Sequence, residues 1–186
     1  MMFDCFKKRF AKEIPETPIP KNVVAPAHEE AIKYGDKFGR YRYIAYCDLG
    51  INSAEHRFWI HDTKHDKILP FKTSHGSGGK NEYPHDGECR EVSNVPGSHM
   101  SCVGMFKCAE TYMGRNGYSL RLDGLSETNS KARPRAIVIH KHGAMNNIRG
   151  SISPRSWGCF MFSPYDYKRI IDMLKNGSPL FVVYNK

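Results

Sequence analysis

The stretch RAIVIHKH, residues 135–142, has three consecutive β-branched residues followed by two closely spaced histidines. β-branched residues favour extended backbone, so the stretch predicts a β-strand. Because successive side chains of a strand point to opposite faces, Val138, His140 and His142 share one face, opposite the two isoleucines that flank Val138. Both imidazoles are therefore expected to point the same way.

Six further runs of this kind are separated by glycine, asparagine and serine clusters, which favour turns. These predicted strands are RYRYIAYCDL (40–49), HRFWIHDT (56–63), KILPFKTSHGSG (67–78, ending in a glycine-rich loop), SCVGMFKCAETYMG (101–114), YSLRLDGL (118–125) and PLFVVYNK (179–186). One helix is predicted in SPYDYKRIIDMLKNG, residues 163–177, where Ser163 can cap and Gly177 ends the segment. Its apolar stripe has three- and four-residue spacing: Tyr167, Ile170, Ile171 and Leu174. The predicted fold class is mainly β with a packed C-terminal helix.

Residues 1–40 differ in composition from the rest of the chain. The stretch EIPETPIPKNVVAP, residues 13–26, is rich in proline, which interrupts regular ladders, and one short helix is predicted after it, within residues 27–39. The sequence therefore predicts an N-terminal arm or linker over residues 1–40 and one globular domain over residues 41–186.

The 186 residues carry a formal net charge of +9, which favours polyanionic partners such as nucleic acid, anionic lipid or acidic envelope polymers. No zinc-finger, RNP-like or recognition-helix pattern accompanies the basic residues, so nucleic-acid binding is not predicted. The sequence has no apolar run of about 18 residues, so no transmembrane segment is predicted. Residues 1–20 lack a continuous apolar stretch, so no secretory signal peptide is predicted either.

Six cysteines are spread along the chain: Cys5, Cys47, Cys89, Cys102, Cys108 and Cys159. They lack the paired CxxC spacing of a structural zinc site, and a chain of this length needs no disulfide framework, so most are expected to be thiols. A bridge among Cys89, Cys102 and Cys108 also fits the sequence.

Cys159 lies in RSWGCF, residues 155–160, 19 positions after His140 and 17 after His142. A loop of that length can fold back and set the sulfur beside an imidazole, which would take the proton and lower the pKa of the thiol from about 8.5. Gly158 allows a tight turn whose N–H groups could face a developing oxyanion. Taken alone, the pattern also fits a small buried cysteine beside satisfied core histidines.

Four longer motifs accompany this segment in a fixed order: SHGSGG (74–79), VSNVPGSHMSCVGMF (92–106), YMGRNGYSLRLDGL (112–125) and NSKARPRAIVIH (129–140). Together with Ser156, Trp157, Gly158 and Cys159, they make residues 41–186 resemble the bacterial murein L,D-transpeptidase catalytic domain, of the YkuD type. That family ends its active-site segment in serine, a variable residue, glycine and cysteine.

Two positions depart from the family pattern. The family follows its strand histidine directly with glycine or another small residue, whereas HKHGA, residues 140–144, offers two candidates. The upstream match from Asn129 favours His140, and the HGA that follows favours His142. Phe160 stands where this branch commonly has proline, which could alter the pocket wall.

The resemblance implies a YkuD-like β-sandwich or barrel and a two-step acyl transfer on peptidoglycan stem peptides. Cys159 would form a thioester, and His140 or His142 would act as the base, giving transpeptidation, D-amino-acid exchange or L,D-carboxypeptidase activity. The resemblance also implies carbapenem-type inhibitors as covalent ligands, action in the cell envelope, and no need for a metal or organic cofactor.

Substrate-binding residues are implied in the same way. They are Arg155, which would pair with a substrate carboxylate, Ser156, Trp157 and Gly158, with His75 and Gly76 in a loop beside the groove. For His75 and Gly76, a purely structural glycine turn fits the sequence equally well.

Three other functions fit these residues. The first is an antibacterial toxin that uses the same chemistry and is delivered by a secretion system or another partner. The second is a wall-binding module that has lost turnover, and the third is a cysteine hydrolase acting on another peptide. The intact Cys159 and histidines favour an enzyme over the binding module.

Overall fold

The computed structural model describes residues 19–78 and 83–186. Within these residues the chain forms two α-helices, α1 (Lys21–Lys33) and α2 (Tyr167–Leu174), and short 3₁₀ turns at Gly35–Lys37 and Glu127–Asn129. It also forms eight β-strands: β1 (Tyr43–Asp48), β2 (Phe58–Asp62), β3 (Lys67–Phe71), β4 (Gly104–Gly114), β5 (Gly117–Gly124), β6 (Val138–Lys141), β7 (Phe160–Phe162) and β8 (Pro179–Val183).

All eight strands belong to one sheet, in the order β3-β2-β1-β8-β4-β5-β6-β7. β1 runs parallel to β8 and β6 parallel to β7, and the other neighbouring pairs are antiparallel. The predicted runs contain all of these strands except β7, which confirms the mainly β fold class. The pattern missed β7 because three residues are too few to show a periodicity.

The sheet curls until the segments flanking its two edge strands, β3 and β7, lie side by side. The Ser156 amide donates to the His75 carbonyl, and the Ser77 amide donates to the Ser156 carbonyl, both at 2.8 Å. The Ser74 hydroxyl donates to the Cys159 carbonyl at 2.8 Å and accepts from a backbone amide of β7 at 2.9 Å. Backbone groups that would otherwise remain unpaired beside the sheet edges are thereby satisfied.

The main core lies on one face of the sheet and is built around aromatic rings. Phe58 and Phe162 meet edge to face, with ring centroids 4.9 Å apart. All four residues of the predicted apolar stripe of α2 are buried in this core, which confirms the packed C-terminal helix. The helix begins at Tyr167, later than predicted, because Ser163 and Asp166 form a preceding turn in which the Ser163 hydroxyl accepts from the Asp166 amide.

A second core lies on the opposite face of the sheet, beneath α1. Alternation along β1 divides its side chains between the two cores: Ala45 and Cys47 join the main core, and Ile44 and Tyr46 join the second. α1 covers this face with residues at three- and four-residue spacing that are buried against the sheet: Val23, Val24, Ala27 and Ala31.

The packing differs from the predicted domain boundary at residue 40, because residues from Ile19 to Phe38 contribute to the second core. α1 also begins at Lys21, earlier than the predicted helix, and contains Pro26. A proline inside a helix costs about 3 kcal/mol, but burial of one helix face can offset that cost. Residues 1–18 of the predicted arm lie outside the described residues. Neither helix of the described chain is long and apolar enough to cross a membrane.

If α1 is part of the fold, a charge placed on its buried face must destabilise the protein. Val23 is fully buried, whereas its neighbour Asn22 is exposed. We expect Val23→Asp to lower the free energy of unfolding by about 3 kcal/mol, because an unpaired carboxylate would be buried. Asn22→Asp, the matched control, should leave stability nearly unchanged. Urea unfolding followed by circular dichroism measures both, and equal stabilities would show that α1 is only a tether.

Candidate active site

Cys159 lies between the turn at Gly158 and the start of β7, next to β6. In the parallel pairing of these strands, Phe160 lies opposite Ile139 and Met161 lies opposite His140. Cys159 and Met161 are two residues apart and share a face, and paired residues of parallel strands point to the same side. The thiol and the imidazole of His140 therefore project from the same face of the sheet, opposite the main core.

The two groups are near neighbours on that face, one strand apart and displaced by two residues. Strand spacing and rise place their Cα atoms about 8 Å apart. The sulfur of Cys159 donates to the Ala136 carbonyl at 3.4 Å, and within residues 19–78 and 83–186 it has no hydrogen bond to either predicted histidine. The resting contact of the thiol is thus with backbone two residues before β6 and not with an imidazole.

Burial raises the pKa of the Cys159 thiol above its usual value. A backbone hydrogen bond from Val138 and the positive charge of Arg135 act in the opposite direction without cancelling this rise. This direction differs from the pKa lowering expected from the sequence. The resting nucleophile candidate is a neutral thiol, because no imidazolium is in contact with it.

His140 is buried, with 7% of its surface exposed, and its ring has one defined partner. Its Nδ1 lies 2.8 Å from the Lys141 carbonyl, which can only accept, so Nδ1 carries the proton and Nε2 carries a lone pair. Burial, aided by the nearby His142, lowers the pKa of His140, and the bond to the Lys141 carbonyl only partly opposes this. At neutral pH the ring is therefore an uncharged base.

His142 has a different setting, since β6 ends at Lys141. Its side chain is exposed, its backbone amide donates to the Phe162 carbonyl at 3.1 Å, and its Nδ1 accepts from the Ala144 amide at 3.3 Å. The structure therefore places the two predicted histidines in unequal positions, one within the sheet and one at its rim.

Gly158 is held in a conformation and a space that only glycine tolerates. Its φ is +114°, and an added Cβ would lie 2.6 Å from the Met100 carbonyl oxygen and 2.7 Å from Cδ1 of Ile137. Its amide donates to the Ser156 hydroxyl at 3.0 Å. That amide already has a partner, which differs from the expectation that it faces an oxyanion.

Ser156 and His75 support the turn at Gly158 through hydrogen bonds. The buried Ser156 hydroxyl lies 2.7 Å from the Cys159 carbonyl and 3.3 Å from the His75 carbonyl, to which it can donate. The His75 ring accepts at Nδ1 from Arg57 at 2.8 Å, and burial and that guanidinium lower the pKa of His75 to about 3. His75 is thus neutral at physiological pH and holds the turn in place, and this favours the structural interpretation of its loop.

Gly76 belongs to the same support. An added Cβ would lie 2.3 Å from the His99 carbonyl oxygen, so the loop containing His99 packs directly on it. The Ser101 hydroxyl accepts from the Gly76 amide at 3.1 Å and donates to the Gly158 carbonyl at 3.3 Å. Gly76 thus allows a close approach of backbone beneath the turn at Gly158.

Arg155 and Trp157 are more accessible to solvent than Ser156, Gly158 and His75. Arg155 donates to the Tyr83 carbonyl and lines a cleft with charged groups of both signs, including Glu88 and Arg90. Trp157 is 71% exposed and stacks flat on His99, with ring centroids 4.4 Å apart and planes 6° from parallel. The predicted substrate-binding residues therefore divide into a buried set (Ser156, Gly158 and His75) and a more accessible set (Arg155, Trp157 and Gly76), and His75 and Gly76 line the same cleft as Arg155.

Sequence reasoning missed Arg135. Its guanidinium donates to the carbonyls of Ser93 and Met100, both at 2.6 Å, and its charge reaches the sulfur of Cys159. An isolated arginine before a strand carries no sequence signal for this role. Only the fold brings it to the site.

The remaining cysteines of the described chain are free thiols, each no more than 1% exposed: Cys47, Cys89, Cys102 and Cys108. Burial raises the pKa of all four, that of Cys102 to about 11. The bridge considered among three of them is not formed. Cys5 lies outside the described residues. Cys159 is the one half-buried thiol in the part of the chain that the structure describes.

Solved structures that resemble the chain include an L,D-transpeptidase from Mycobacterium smegmatis (15% identity, TM-score 0.45, 76% of this chain covered), the L,D-transpeptidase LdtMt1 in complex with imipenem (16%, 0.44, 76%) and the helical cell shape determining protein Pgp2 from Campylobacter jejuni (13%, 0.48, 86%). The matches cover 58%, 59% and 56% of those chains, respectively, so this chain spans under three-fifths of their length.

A search of curated proteins gives no match. The family model described as the L,D-transpeptidase catalytic domain matches residues 17–183, which include α1 and every strand. The chain therefore belongs to the L,D-transpeptidase catalytic domain family.

Proposed function

We propose that this protein is a cysteine acyltransferase acting on peptidoglycan stem peptides, with Cys159 as the nucleophile and His140 as the base. The proposal rests on one observation. Cys159, the one half-buried thiol among the described residues, lies on the same sheet face as His140, a neutral histidine with a free Nε2. Membership of the L,D-transpeptidase family supplies the substrate class.

In the first half-reaction, the sulfur attacks the carbonyl of the third stem residue, a diamino acid. Rotation about the Cα–Cβ bond of Cys159 would turn the sulfur from the Ala136 carbonyl toward His140, whose Nε2 takes the thiol proton. The bond from that carbonyl to the nitrogen of the terminal D-alanine then breaks, and the His140 proton passes to the leaving amine. A thioester remains on Cys159.

In the second half-reaction, a nucleophile resolves the thioester. An amine of a neighbouring stem gives a 3→3 cross-link, a free D-amino acid gives exchange, and water gives L,D-carboxypeptidase activity. His140 takes the proton of the incoming group as the C–S bond breaks, and the proton returns to the sulfur. Arg155, in its mixed-charge cleft, is proposed to bind a substrate carboxylate.

The site of action proposed on this basis is the cell envelope, where these stems are found. Delivery as an antibacterial toxin would use the same chemistry. The presence of Cys159 and His140 on one sheet face favours turnover over a wall-binding module that has lost it. Incubation of the protein with purified muropeptides, followed by mass spectrometry of the products, tests the proposal and identifies transfer, exchange or hydrolysis.

Replacing the nucleophile should end turnover without unfolding the protein. We expect Cys159→Ala to reduce product formation from tetrapeptide stems to background, while circular dichroism stays that of the native protein. The matched control is Cys108→Ala, a buried thiol away from the site, which should retain activity if folded. Residual turnover in folded Cys159→Ala would assign the chemistry to another group.

The two histidines should differ in their contribution. We expect His140→Ala to lower kcat/KM by about 10²–10⁴-fold, as loss of a general base does, and His142→Ala to have a much smaller effect. Because burial lowers the pKa of His140 from its usual value, wild-type kcat/KM should fall as the pH drops into the acid range, where that ring gains a proton. A larger loss in His142→Ala, at equal folding, would transfer the base role to His142.

Imipenem is bound in the structure of LdtMt1, and we propose that a carbapenem also acylates this chain. Intact mass should show one ring-opened adduct, and peptide mapping should locate it at Cys159, since attack on the lactam carbonyl needs the same thiol and base. Cys159→Ala is the control. If iodoacetamide labels Cys159 while the carbapenem does not, the thiol is accessible but the acyl-transfer site is incomplete.

A further inference from the structure

Trp157 presents a flat, open aromatic surface two residues before the nucleophile. It is 71% exposed, yet its ring does not extend freely into solvent, because it lies parallel to the His99 imidazole at a centroid distance of 4.4 Å. The imidazole covers one face of the indole and leaves the other face open. A ligand that covered the open face would remove apolar area from water, which is favourable by about 25 cal/mol per Å².

The backbone beneath this pair is fixed before any ligand arrives. His99 adopts a left-handed φ of +53°, uncommon for a residue other than glycine, and its carbonyl accepts from the Gly78 amide at 3.3 Å. Arg135 holds the next carbonyl, that of Met100, at 2.6 Å, and Gly158 follows the indole in a turn that tolerates no side chain. A ligand that stacks here would therefore lose little binding energy to ordering of the protein.

The distance from Trp157 to the sulfur matches a definite part of the substrate. Trp157 is connected to Cys159 through the turn at Gly158, so the indole can lie up to about 10 Å from the sulfur of Cys159. In the proposed reaction the sulfur attacks the third residue of a stem peptide. Three extended residues also span about 10 Å, so the sugar that carries the stem lies at the same distance from the attacked carbonyl.

The charge around the indole decides between possible occupants. An aromatic face can accept a cation, but Arg135 bonds Ser98 and Met100, the residues on either side of His99, and its positive charge disfavours an ammonium group there. A pyranose ring is uncharged and presents a flat face of C–H bonds, with its hydroxyl groups directed outward to water. That shape matches an open indole face.

We infer that Trp157 and His99 form a stacking platform for a sugar ring of the glycan strand, so that the protein prefers stem peptides still attached to glycan. This inference rests on the proposed function, because the stem peptide is what sets the distance. Trp157 supplies the contact surface, and His99 is a positioning residue that holds the indole flat.

The first experiment compares KM for a free tetrapeptide with KM for the same tetrapeptide on its N-acetylglucosaminyl-N-acetylmuramic acid disaccharide. We expect the wild type to favour the disaccharide form, and Trp157→Ala to raise its KM about tenfold and remove most of the preference, as expected for loss of one aromatic stack. Trp157→Phe should keep most of the preference, and His99→Ala should lose part of it. Tyr165→Ala, which removes an exposed aromatic ring elsewhere, should change neither KM.

An unchanged preference in Trp157→Ala, or an equal rise of both KM values, would overturn the inference. A second measurement separates it from the proposed function, since it needs no turnover. In Cys159→Ala protein, Trp157 is the one exposed tryptophan, because Trp59 is buried. We expect saturable quenching of tryptophan emission by the disaccharide alone, lost in Cys159→Ala/Trp157→Phe. Turnover of neither substrate would defeat the proposed function only, whereas absence of quenching would defeat the platform.

Discussion

The position of Cys159 depends on the junction between the two edges of the curled sheet. The turn at Gly158 leads through Cys159 into β7, a strand of only three residues, which pairs with β6 on one side alone. The segment after β3 supplies the other side: the Ser74 hydroxyl bonds the Cys159 carbonyl, and the His75 carbonyl accepts from the Ser156 amide. Without this junction, a strand as short as β7 would have little to fix its register or the turn that precedes it.

A buried arginine stabilises the β3 side of that junction. Arg57 is fully buried and donates to the carbonyls of Thr73 and Ile51 and to Nδ1 of His75, at distances from 2.8 to 3.1 Å. Burying a guanidinium is costly unless its N–H groups are satisfied, and carbonyls arranged around it meet that need. The same contacts hold in place the backbone that supports Ser156 and Gly158. The free energy lost by burying the Arg57 guanidinium is therefore linked to a fixed geometry of the site.

The electrostatics favour a neutral resting pair over a thiolate beside an imidazolium. Burial raises the pKa of Cys159 and lowers that of His140, so both groups resist charge for the same physical reason, the loss of water. The Lys141 carbonyl holds the proton on Nδ1 of His140 and leaves Nε2 free to accept. In the proposed mechanism the proton therefore leaves the thiol as the sulfur attacks, and charge appears only when substrate occupies the site.

The sequence by itself determined every strand except β7, the apolar stripe of α2 and the candidate residues Cys159, His140 and His142, because each depends on local periodicity or on an ordered motif. It did not determine that α1 belongs to the domain. The prolines at the start of α1 and within it argued against a helix there, and its apolar face stabilises the helix only when packed against the sheet. It also could not assign separate roles to His140 and His142. Their difference arises where β6 ends, one residue before His142.

The tertiary structure alone decided which motif residues support the turn and which face outward. In the sequence Ser156, Gly158 and His75 belong to the same motifs as Arg155, Trp157 and Gly76, but contacts with residues distant along the chain bury the first group, as the bond between Ser156 and the His75 carbonyl shows. Arg135 approaches Cys159 for the same reason. Such contacts leave no periodic pattern along the chain, because their partners are set by how the sheet curls and where its edges meet.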